Sequence, residues 1–129
     1  MGRARIAAAV GVAAVRAALT PDAAGSDAAR GRDTTALAVR YLLQLLADVA
    51  PGNTLEVRVP PYGAVQCVEG PRHTRGTPPN VIETDAATWI ELATGATDWP
   101  AAVAESRVSA SGTRANLDGL LPLDWTAGE

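Results

Sequence analysis

Between residues 33 and 50 the chain reads DTTALAVRYLLQLLADVA, and its most polar positions, Arg40, Gln44 and Asp48, recur every four residues among apolar neighbours. That spacing predicts a helix with one narrow wet stripe, whose remaining circumference other elements must cover. Asp33 is the candidate N-cap, and Pro51-Gly52 ends the segment. The period then changes from 3.6 to 2. Leu55, Val57 and Val59 alternate with Glu56 and Arg58, and Pro60-Pro61 stops the strand because proline has no N–H for a ladder. After the turn at Tyr62-Gly63, AVQCVEG predicts a second strand with Val65 and Cys67 on one face. GPRHTRGTPP, residues 70–79, carries too much Pro and Gly for an element and reads as a long irregular loop. NVIET, residues 80–84, is a third short strand.

The last third has clear punctuation. Asp85 can cap a helix that places Ala86, Trp89, Ile90 and Ala93 on one face, and Gly95 suits its left-handed end. Asp98 can cap a second, shorter helix with Pro100 in its first turn, running to about Glu105. Arg107, Ser109 and Ser111 alternate with Val108, Ala110 and Gly112 as a strand with one wet face. Leu117, Leu120 and Leu121 sit at helical spacing, limited by Pro122, and beyond them Trp125 is placed to dock in an otherwise fraying tail.

At the other end, Ile6, Val10, Ala13, Ala14 and Ala17 share a helical face. Arg3 and Arg5 before an apolar decamer give the outline of a secretory signal, but the run is mostly Ala and Arg16 interrupts it, so an amphipathic first helix is expected. TPDAAGSDAARGR, residues 20–32, lacks periodicity and reads as a flexible connection. The order of elements is an α+β pattern around a small, mainly antiparallel sheet with helices on one face, plus the N-terminal helix.

At 129 residues one core is the expectation, and with only 4% aromatic residues and no Phe it must be built from Leu, Val, Ile and three Trp. A net charge of −3 removes the electrostatic footprint of a non-specific nucleic-acid binder. One Cys and one His exclude a disulfide framework and a multi-Cys zinc site, and favour a reducing compartment. No stretch approaches the roughly 20 apolar residues of a membrane span. A cytoplasmic protein without stable membrane insertion is expected, with no cofactor.

The stretch NVIETDAATWIELATGATDWPAAVAESRVSASGTRANLDGLLPL resembles the C-terminal half of sterol carrier protein-like domains. A strand runs into Asp85, Trp89 and Leu92 precede Gly95, a Pro-started helix follows, and then come a strand ending at Gly112 and a Leu-bearing terminal helix. LEVRVPPYGAVQCVEGPRHTRGTPPN is similar to the bacterial stand-alone branch of that family. The resemblance covers residues 34–123, leaving 1–19 as an Ala-rich helix, 20–33 as a linker and 124–129 as a tail. It implies a sheet with helices on one face and, between them, a hydrophobic tunnel for fatty acyl chains or sterols.

Candidate site residues follow. Arg72 and Arg75, flanking His73 in a proline-stiffened loop, are placed to fork onto a carboxylate or phosphate head group; pairing with Glu69 or Glu83 is the structural alternative. Trp89 and Ile90, with Leu42, Leu45 and Leu46, line the expected cavity or form ordinary core. Cys67 shares a face with Val65, which points to a buried thiol of raised pKa instead of a nucleophile activated by His73. No catalytic residue and no metal ligand set is assigned. The expected function is a non-enzymatic binding protein for a lipid, acyl or other amphipathic ligand. The alternative is an accessory module that docks on an enzyme and holds no lipid. The N-terminal helix needs a partner surface, which its own domain or a second copy in a homodimer would supply.

Overall fold

The computed structural model describes residues 4–20, 28–70 and 80–128. Elements follow in the order α1 (Ala8–Leu19), α2 (Ala28–Val49), β1 (Leu55–Val59), β2 (Gly63–Cys67), β3 (Asn80–Thr84), α3 (Ala86–Thr94), α4 (Trp99–Ala104) and β4 (Val108–Ser111). The four strands form one mixed sheet in the order β2-β1-β3-β4, with antiparallel outer pairings and a parallel pairing of β1 with β3 at the centre. Period-2 alternation fixes its faces. Leu55, Val57 and Val59 are buried, as are Cys67 and Ile82, which register beside Leu55 and Val57. Glu56, Arg58, Gln66, Glu83 and Ser109 occupy the opposite, polar face.

Helices cover only the apolar face. Leu42, Leu46, Trp89 and Leu92 from α2 and α3 are fully buried with Leu55, Val57 and Ile82 from the sheet. The α3 termini follow their sequence signals. The Asp85 side chain accepts from Thr88 N at 2.7 Å, and Gly95 takes φ +91°. Asp98 caps α4 the same way, accepting from Ala101 N at 2.8 Å. Arg107 Nη2 reaches Glu91 Oε1 at 2.7 Å and ties the entry of β4 to α3.

The N-terminal helix docks in cis. Val12 and Val15 join the common core, and a Cβ at Gly11 would overlap the ring of Tyr41, so α1 approaches α2 where only glycine fits. Trp125 also docks, with the Arg16 guanidinium 5.3 Å from its ring centroid.

Two sequence expectations need correction. α2 begins at Ala28, not after Asp33, so part of the expected flexible connection is helical. Residues 31–33 are exposed, so this first stretch carries no apolar periodicity to read. The expected helix at Leu117, Leu120 and Leu121 is a series of turns. Asn116 Oδ1 accepts from Asp118 N at 2.7 Å and Gly119 adopts φ +90°, which offers the backbone an alternative to helix. Leu117 and Leu123 are buried all the same, and Leu123 N donates to Ala93 O at 2.8 Å.

Candidate functional site

The polar stripe of α2 does not simply face water; each of its three residues holds a neighbour. Arg40 Nε donates to the carbonyl of Tyr62 at 2.9 Å, which ties α2 to the turn before β2. Gln44 accepts from Ile6 N at 2.9 Å and donates to Ile6 O at 3.0 Å, so one side-chain amide satisfies both backbone groups of an extended residue. Asp48 receives both terminal nitrogens of Arg5, at 3.1 and 2.7 Å. The Arg5 hydrogen bond holds the Asp48 carboxyl below its ordinary range, and Asp48 raises Arg5 in turn.

Between these attachments lies a half-open groove of about 480 Å³. Its walls are the N-terminal arm (Ala4, Arg5, Ile6), α2 (Arg40, Leu43, Gln44) and the turn and edge strand (Tyr62, Gly63, Ala64, Val65). Small-molecule sites run from roughly 300 to 1,000 Å³, so the size suits a ligand. Leu43, Val65, Ile6 and the Tyr62 ring make the apolar part. Two guanidiniums and no carboxylate line the groove, although the chain as a whole is acidic. Of the two, Arg5 is paired with Asp48, while Arg40 donates through Nε to the Tyr62 carbonyl. A second hollow, beside Leu92, Trp99 and Pro122, holds only about 60 Å³.

Of the residues singled out from sequence, the described ones lie elsewhere. Leu42, Leu46 and Trp89 have no exposed surface and Ile90 is 7% exposed, all within the packed layer between helices and sheet; none lines the groove. Trp89 Nε1 donates to Val39 O at 3.3 Å, so even its polar atom is satisfied inside that layer. Arg72, His73 and Arg75 lie outside the described residues, as does the rest of the expected loop through Pro79. Cys67 is buried as expected, and desolvation pushes its thiol up to about 11. Among the described residues no group of three His, Cys, Asp or Glu side chains comes together, and no helix is long and apolar enough to cross a membrane.

Sequence reasoning found the stripe but not its use. Arg40, Gln44 and Asp48 stood out by their spacing, whereas Leu43, Tyr62, Val65 and the arm become neighbours only through tertiary packing.

A family model described as bacterial SCP ortholog matches residues 31–123. A comparison with curated proteins finds no match.

Proposed function

Since the chain belongs to the bacterial SCP ortholog family, in which SCP stands for sterol carrier protein, we propose that it is a non-enzymatic binding protein for a small amphipathic ligand. We place the ligand's seat in the groove between the N-terminal arm, α2 and β2. The observation that carries this reading is the groove's composition: an apolar floor at Leu43 and Val65 beside Arg40, without a carboxylate. An anion with an apolar tail fits that arrangement. The tail would be driven in by burial and the head oriented by charge-assisted hydrogen bonds to the guanidinium. The rival seat between helices and sheet would require Leu42, Leu46, Trp89 and Ile90 to part, and their complete packing weighs against it.

Isothermal titration with dodecanoate tests the proposal, with dodecyltrimethylammonium as the cationic control. The anion is expected to bind and the cation not to bind. Arg40→Gln should weaken dodecanoate about tenfold, equivalent to about 1.4 kcal/mol, with little change in melting temperature. Replacing Arg72 and Arg75 together tests the loop as a rival head-group site. Unchanged affinity in that double variant removes the loop from the site. Absence of binding by the wild-type protein contradicts the reading.

A second reading, an accessory module that docks on an enzyme, draws support from the sheet. Among the described residues no helix lies over its outer face, with Glu56, Arg58, Gln66, Glu83 and Ser109, and β2 and β4 are edge strands. Native mass spectrometry separates the two readings. A ligand mass that disappears on unfolding favours the binding protein, and a clean mass after incubation with dodecanoate favours the module.

A further inference from the structure

The N-terminal arm is attached in an unusual way for a segment that forms one wall of the groove. Residues 4–7 belong to no helix or strand, and Ala7 is extended at φ −66°, ψ 146°. No sheet ladder holds the arm. Its polar anchors are the Gln44 amide on Ile6 and the exposed Arg5 pair with Asp48. Just beyond Ala7 the situation reverses. Gly11 seats against the Tyr41 ring, and Val12 and Val15 are buried, so α1 is locked to α2. Ala7 gives α1 no side-chain cap, and the first helical bond runs from Gly11 N to Ala7 O. A break at Ala7 would therefore free the arm while α1 stays docked.

Resting on the groove as the ligand seat, we propose that residues 4–7 are a releasable strap, held across the groove by Gln44 and Asp48, that retains the ligand. Two attachments of modest strength suit such a role. A neutral hydrogen bond and an exposed ion pair each add little net stability, and Ile6 is only partly buried against the core, so the strap opens far more often than the protein unfolds. Each opening removes Ile6 from the groove wall and exposes the apolar part of the ligand to water. Dissociation should follow the strap, whereas the floor at Leu43 and Val65 remains in place.

The test combines amide exchange with dissociation kinetics on the full chain. In the wild type the Ile6 amide should be protected. Gln44→Ala should speed its exchange about tenfold while Val12 and Val15 amides stay unchanged, which separates strap release from general loosening. Dodecanoate should leave Gln44→Ala about tenfold faster and Asp48→Ala about threefold faster. Asp48 does not line the groove, so its effect is not a lost ligand contact. An Ile6 amide already unprotected in the wild type overturns the strap and leaves the groove reading standing. Protection with unchanged dissociation rates in both variants overturns retention. Failure of the wild type to bind dodecanoate overturns the groove reading and the retention built on it, while the Ile6 exchange still reports whether Gln44 holds the arm.

Discussion

The two sides of α2 have opposite characters. Toward the sheet, Leu42 and Leu46 meet Trp89, Leu55 and Val57 in a layer with no exposed side-chain surface. Toward the arm, Arg40, Gln44 and Asp48 interrupt the apolar surface every four residues, and a groove of about 480 Å³ opens. The contrast follows from side-chain chemistry. Aliphatic and aromatic groups interdigitate to crystal-like density, whereas polar groups must be met by specific partners at fixed distances and angles, which leaves space between the anchors. The proposed ligand seat lies where the helix is polar, one face away from the layer that the family resemblance brings to attention.

The largest effect expected from this contrast is kinetic. With its thiol pushed up to about 11, Cys67 at neutral pH is ionised in roughly one molecule in ten thousand, and it is also shielded by the packed layer. Iodoacetamide should label it at least about a hundredfold more slowly in the native protein than in denaturant; comparable rates would mean the layer is open. Next in size is Leu42→Ala. If the layer is solid, the substitution should cost about 2–5 kcal/mol in chemical denaturation. A loss below about 1 kcal/mol would indicate slack that a ligand could occupy.

Gly11→Ala sharpens the comparison at the close contact of α1 with α2. The added methyl meets the Tyr41 ring and must move α1 or the ring, for about 1–3 kcal/mol by thermal denaturation. The smallest effect concerns pH. The hydrogen bonds from Arg107 and Thr97 hold the Glu91 carboxyl below its ordinary value of 4.5. A depressed carboxyl contributes stability that is fully present above that value and is lost as pH falls through the lower, folded value. Glu91→Gln should therefore flatten the fall in melting temperature between about pH 5 and about pH 3, a slight change because the pair is partly exposed. An unaltered pH profile would show that Arg107 does not tie β4 to α3 in solution.

Much of the architecture was legible because it is written in local signals. Asp85, Asp98 and Gly95 stand at the helix ends they signal, and the alternation at Leu55–Val59 and the short run Asn80–Thr84 mark strands with those bounds. What escaped was not local. Residues 31–33 near the start of α2 are exposed and offer no periodicity, and the leucines near the C-terminus are held by turns around Asn116 and Gly119. Val68 closes β2 at φ +69°, a conformation that a β-branched residue does not advertise. The candidate site divides the same way. The stripe is visible as spacing, but its partners stand 22, 38 and 43 residues away in sequence. No periodicity within one element could have paired them.

The proposed ligand seat is the polar side of α2 and not the sheet–helix layer. Backbone amide chemical-shift mapping during a dodecanoate titration tests it directly. The largest shifts are expected at Arg5, Ile6, Arg40, Leu43, Gln44 and Val65, with Leu46, Trp89 and Leu92 nearly unmoved. Large shifts at Leu46, Trp89 and Leu92 with a silent groove would contradict it and return the ligand to a tunnel beneath the helices.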